Sequence, residues 1–142
     1  MDVNYKGKKV KKGGSVIYKL ESSKDLDIVV KDFEDAAKAH KFGVLAKHNV
    51  KETLNSKGVE FAPECRIVEI CNPLQAKKVL EANIDISTAL PCRVAIYKDK
   101  GKVTLSTIKP TALVSMFPNP ALKSTAEEVE KEIVKMMQEA AV

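Results

Sequence analysis

The sequence predicts an α+β fold, with long helices packed on one face of a largely antiparallel sheet. Three observations carry this. Helical apolar stripes stand near both ends of the chain, at Leu26 to His40 and Val129 to Ala140. Between them lie consecutive short runs with strand patterning. Two of those runs are joined by Asp99-Lys100-Gly101, a tight-turn sequence that makes neighbouring strands antiparallel. Long helices flanking a block of strands point to helices on one side of a sheet.

The elements follow in order. Ser15 to Ser22 alternates, with Val16, Tyr18 and Leu20 on one side and Lys19 and Glu21 on the other, as a half-buried strand does. Asp25 is placed to cap a helix to about Lys41, whose stripe is Leu26, Val29, Val30, Phe33, Ala36, Ala37 and His40. Phe42 to Val50 reads as a strand, with Gly43 as a helix C-terminal signal or a bulge. Lys51 to Lys57 is a helical turn stopped by Gly58. Cys65 to Cys71 is the third strand. Asn72-Pro73 opens a short helix, because Asn caps and Pro suits a first turn, and Leu74, Val79 and Leu80 are expected to pack it down. Leu90 to Lys98 and Lys102 to Ile108 form the hairpin, and Pro110 ends it. After a connector at Met116 to Pro120, Ser124 and Glu127 make a capping-box pattern for the last helix. Its stripe is Val129, Ile133, Met136, Met137 and Ala140, with the methionines filling core gaps. Periodicity leaves the direction of the Cys71 to Leu90 connection open, since it is long enough for a parallel crossover.

The chain has 142 residues, which fits one domain with one core. Its 44% apolar and 30% charged content is ordinary globular composition and excludes collagen-like, disordered and membrane-embedded classes. No apolar run approaches the roughly 18 residues of a membrane span. The start, Met1 to Lys6, has no apolar signal-peptide core, so a cytoplasmic protein with no membrane partner is expected.

The net charge of +5 is concentrated at the start: residues 1–14 carry +4 and the other 128 carry +1. We therefore read 1–14 as a basic flexible tail and 15–142 as a single α+β domain. Nucleic-acid binding beyond weak tail contacts is not expected. The three cysteines, Cys65, Cys71 and Cys92, are an odd count with no signal peptide, which suggests reduced thiols.

Glu69-Ile70-Cys71-Asn72-Pro73 and Leu90-Pro91-Cys92-Arg93-Val94 are the most specific segments of the chain. Together with Phe42-Gly43-Val44-Leu45, Lys57-Gly58-Val59-Glu60-Phe61 and Ser106-Thr107-Ile108-Lys109-Pro110, they resemble the domain-of-unknown-function family 302. The resemblance runs over about residues 15 to 142 and leaves out the lysine-rich tail. It implies a two-layer sandwich with a curved, mainly antiparallel sheet and two long helices on one face. The implied order, β-α-β4-α, is that of half of the TATA-box-binding protein, a topological similarity that implies no DNA binding. It also implies that Cys71 and Cys92 are neighbours and so a candidate dithiol.

Cys71 ends a strand one residue before the Asn72 cap. A thiolate there would feel the positive end of a helix, which lowers a thiol pKa. Against this, free cysteines are commonly buried, and Glu69 on the same strand face would disfavour a thiolate. Arg66 and Arg93 are the only arginines among 24 basic residues. Alternation puts Arg93 with Tyr97 on the face opposite Cys92, where they would line an anion site or a subunit interface; the plainer role for Arg93 is an ion pair with a glutamate. Val68, Ile70 and Tyr97 are read as a sheet face that self-association would cover.

Cys-x5-Cys with isolated histidines is not a zinc spacing, and no phosphate loop, nucleophile elbow or His-Glu-x-x-His motif occurs, so neither metal nor cofactor is expected. The first functional reading is a non-enzymatic, homodimeric module binding a small ligand or protein partner through Cys71, Asn72, Cys92, Arg93 and Tyr97. The alternative is a thiol-based redox or sulfur-transfer protein using Cys71 and Cys92 catalytically. A motif-free enzyme stays open.

Overall fold

The computed structural model describes residues 15–142. The basic tail expected over 1–14 lies outside the described residues. The elements are β1 (Ile17–Ser22), α1 (Leu26–Ala39), β2 (Gly43–Asn49), α2 (Val50–Ser56), β3 (Cys65–Cys71), α3 (Pro73–Ala82), a 3-10 segment (Ile84–Ala89), β4 (Cys92–Asp99), β5 (Lys102–Ile108), α4 (Pro110–Val114) and α5 (Ala121–Ala141). The five strands form one open antiparallel sheet in the order β1-β5-β4-β3-β2. The α+β reading with two long helices on one face holds. The connection after Cys71 returns antiparallel, with Ile70 opposite Cys92 and Glu69 opposite Arg93.

Local chemistry explains the boundaries. Lys100 (φ 51°) and Gly101 (φ 77°) are both left-handed, the two-residue turn that matches strand twist. Helix α1 stops because Lys41 turns left-handed (φ 66°), so the Phe42 N–H reaches Ala37 O at 2.8 Å and the Lys41 N–H reaches Lys38 O at 3.0 Å. The stop signal is thus Lys41 and not Gly43, and the buried Phe42 anchors it. Gly58 (φ 77°) ends α2 in the same way, as read from sequence.

Several boundaries and contacts differ from the expectations or add to them. Asp25 stands at the N-cap of α1 but makes no side-chain cap bond. Asn49 caps α2 by accepting from the Glu52 N–H, which ends β2 before Val50. Pro110 not only ends β5 but also opens α4. Helix α5 starts three residues before Ser124: Asn119 Oδ1 accepts from the Ala121 N–H at 3.0 Å, and Pro120 is already helical (φ −63°). Leu74 does not pack α3 down; it is 75% exposed, while Val79 is buried and Leu80 packs beside it.

The core is the helix-facing side of the sheet. Val68, Ile70, Val94, Ile96 and Leu105 are buried against Val29, Phe33 and Ala37 of α1 and Met136, Met137 and Ala140 of α5. The methionines are core residues, as read. Val68 and Ile70 are therefore covered by helices and do not share a face with Tyr97, because their partners Val94 and Cys92 alternate with Ala95 and Tyr97. Ser22 Oγ donates to Ala141 O at 2.7 Å and ties β1 to the end of α5. A smaller cluster of Val79, Ile86 and Leu122 joins α3, the 3-10 segment and α5 beyond the end of the sheet.

His40 fastens α1 to α5. Its Nδ1 lies 2.6 Å from Glu132 and its Nε2 lies 2.7 Å from Glu139. Two carboxylates satisfy both nitrogens only when the ring carries two protons. Burial opposes that charge, but the two glutamates outweigh it and raise the His40 pKa above its usual 6.5. A raised folded-state pKa contributes stability that is fully present below the unfolded value and is lost as pH rises through the folded one. The expected result is that His40→Gln lowers stability by about 1 kcal/mol or less near pH 5.5, with the deficit shrinking by pH 9. Urea unfolding of both proteins at the two pH values checks this; a deficit that grows with pH would contradict it.

Candidate functional site

The site forms where β3 and β4 meet the inserts. β3 runs out of the core at Ile70 and ends at Cys71, and β4 begins at Cys92 opposite Ile70. Asn72 turns the chain into α3, its Oδ1 accepting from the Leu74 N–H at 3.1 Å and the Gln75 N–H at 3.2 Å. Leu90 and Pro91 bring the chain back. These segments, with α4 and α5 behind them, line a pocket of about 60 Å³ that opens to solvent. Phe42, Ile70, Val79, Leu90 and Val129 supply much of its wall, and Cys71, Asn72, Gln75 and Cys92 also face it.

Both thiols are free and part-buried, and both line this pocket. Burial raises the Cys71 pKa, and likewise that of Cys65. Cys92 is pushed up to about 11, first by burial and then by a charge on Cys71, with Arg93 opposing weakly. The lowering expected at Cys71 from the helix terminus is absent. Burial is the cause that sets the direction at Cys71; the first free N–H groups of α3 are meanwhile taken by the Asn72 side chain, which accepts from Leu74 and Gln75.

Arg93 and Tyr97 lie elsewhere. Alternation puts them with Glu69 on the sheet face away from the helices. Arg93 Nε donates to Glu69 Oε2 at 3.3 Å, and His48 Nε2 lies 3.4 Å from the same oxygen. Arg93 thus makes the glutamate ion pair. Of the five candidate residues, Cys71, Asn72 and Cys92 are brought together, and Arg93 and Tyr97 are not among the pocket residues. Sequence reasoning missed Gln75 and Val129. Gln75 was within reach: positions 72, 75, 76 and 79 share one face of α3, and all four line the pocket. Val129 comes from the far end of the chain, and no local pattern links it to Cys71.

Among the described residues no cluster of three histidine, cysteine or acidic side chains is arranged to hold a metal. No helix among them is long and apolar enough to cross a membrane.

The chain belongs to the family described as domain of unknown function DUF302, whose model matches residues 18–140. It is similar to the crystal structure of an uncharacterized conserved DUF302 protein from Bacillus stearothermophilus. That protein is 33% identical with a TM-score of 0.85, and the match covers 88% of this chain and 98% of that one. No curated protein matches. The family resemblance carried by Cys-Asn-Pro and Leu-Pro-Cys-Arg is therefore real, and the family is one of unknown function.

Proposed function

We propose that the protein is a small-ligand-binding module whose ligand sits between Cys71, Cys92 and α5. The observation that carries this reading is the pocket itself: mostly apolar walls contributed by distant parts of the chain, with a few polar groups beside them. That is the usual constitution of a small-molecule site. The volume, about 60 Å³ in a pocket that opens to solvent, suits a few heavy atoms or the end of something larger. The proposal extends to a homodimer through the sheet face away from α1 and α5, where Arg93 and Tyr97 lie, Arg93 exposed among the described residues; sedimentation checks that part.

The pocket reading is tested by filling it. Val129→Phe is expected to keep the fold, losing about 1–3 kcal/mol through overpacking. A library of small fragments screened by amide NMR is expected to shift Cys71, Gln75 and Cys92 in the wild type and to leave them unmoved in the variant. Fragments that shift those amides equally in both proteins would contradict the reading.

A specific observation favours the second reading. Cys71 and Cys92 line the same pocket and are close enough for one charge to raise the other's pKa. A dithiol redox or sulfur-transfer role would use that proximity. It has no thiolate-stabilising environment to support it, since burial raises both groups.

A further inference from the structure

Resting on the pocket reading, the wall also says what charge an occupant can carry. Among the described residues that line the pocket, none has a charged side chain. Two helices begin at this wall, and a helix start with free N–H groups is a ready anion site. Neither has such groups to spare. In α3, Pro73 has no N–H, Leu74 and Gln75 donate to Asn72 Oδ1 at 3.1 and 3.2 Å, and Ala76 donates to Asn72 O at 2.9 Å. In α4, Pro110 has no N–H, Thr111 donates to Glu130 Oε1 at 3.1 Å, and Ala112 and Leu113 donate to Lys109 O at 2.9 and 3.2 Å. Glu130 and Glu128, the latter accepting from Gln75 Nε2 at 3.0 Å, repel an anion further. Neither carboxylate lines the pocket, so a cation inside would lose water without gaining a partner. What the wall offers is apolar surface from Phe42, Ile70, Val79, Leu90 and Val129, beside two thiols that burial keeps neutral.

We propose that the pocket takes an uncharged apolar group, the end of an aliphatic chain or a small hydrocarbon ring, held by contact with those side chains. Carboxylates, phosphates and ammonium groups are kept out of it. On a larger ligand such a head stays outside the mouth, and charged molecules of only a few heavy atoms are not ligands.

Cyclopentane, pyrrolidine and inorganic phosphate test this. The two rings have nearly the same shape, but pyrrolidine carries a positive charge near neutral pH; phosphate is the anion. Each is titrated into the full-length protein and followed by amide NMR at Cys71, Gln75 and Cys92, which line the pocket. Cyclopentane is expected to shift these amides and to bind at least about tenfold more tightly than pyrrolidinium, because the charged ring would be desolvated without a partner. Phosphate is expected to leave them unmoved. Val129→Phe is expected to abolish the cyclopentane shifts. Pyrrolidinium or phosphate moving these amides as readily as cyclopentane, or more so, overturns the uncharged class and leaves the pocket reading standing. Cyclopentane shifts that persist unchanged in Val129→Phe, or no shift with any of the three probes, overturn both the uncharged class and the pocket reading on which it rests.

Discussion

Val30→Asp is expected to lose more than about 4 kcal/mol of stability, enough to leave much of a marginally stable domain unfolded at room temperature. Val30 sits on the apolar stripe of α1, only 8% exposed, within the cluster formed by Phe33, Val94 and Ile96. A carboxylate there is either buried without a partner or must stay protonated, and both states are costly. The adjacent position is the control. The Lys31 side chain is 67% exposed and pairs with Asp35 one turn on, at 2.8 Å. Lys31→Asp removes that pair and sets two like charges together on an exposed surface, a loss small beside that at Val30. Guanidinium unfolding separates the two cases. Comparable losses at both positions would mean that the buried face of α1 is not the one described.

Alkylation of Cys92 by iodoacetamide at pH 7.5 is expected to be at least about 100-fold slower in the folded protein than after unfolding. The reactive species is the thiolate, and its fraction falls tenfold for each unit of pKa. Burial, with the neighbouring Cys71 adding to it, pushes the Cys92 thiol from 9.0 up to about 11, a shift that supplies that factor. Limited access through the pocket adds to it. Mass spectrometry of peptides after timed quenching reads each cysteine separately. Native labelling of Cys92 or Cys71 at rates equal to those of the unfolded chain would overturn the account of buried thiols and favour the thiol-based reading.

Much of the fold was legible because local patterns and packing agree. Cys65–Cys71 and Lys102–Ile108 were read with their observed boundaries. The stripe of α1 matches its buried residues from Leu26 to Ala37, with His40 falling at the C-cap and only part-buried, and the Lys100-Gly101 turn has the backbone its sequence demands. The misses have physical causes. A capping box at Ser124 is a sound local signal, but Asn119 and Pro120 satisfy the helix start one turn earlier. Leu74 follows the cap and looks like an anchor, yet α3 turns its Val79 face to the protein and leaves Leu74 outward.

The candidate site divides in the same way. Cys71, Asn72 and Cys92 sit in distinctive segments and were found. Arg93 was singled out as a rare residue type, but strand alternation takes it to the far face, where Glu69 meets it. Val129 was read only as a core position, because what makes it a pocket wall is a tertiary contact between the last helix and the ends of β3 and β4. Gln75 carries no motif at all; it lines the pocket because it shares a face of α3 with Ala76 and Val79.

The claim that a small molecule occupies this pocket is tested most directly by electron density from crystals of the protein purified without added ligand. The account predicts a compact, non-water feature bounded by Phe42, Leu90 and Val129. A pocket filled only by water, or closed by the surrounding side chains, would contradict it.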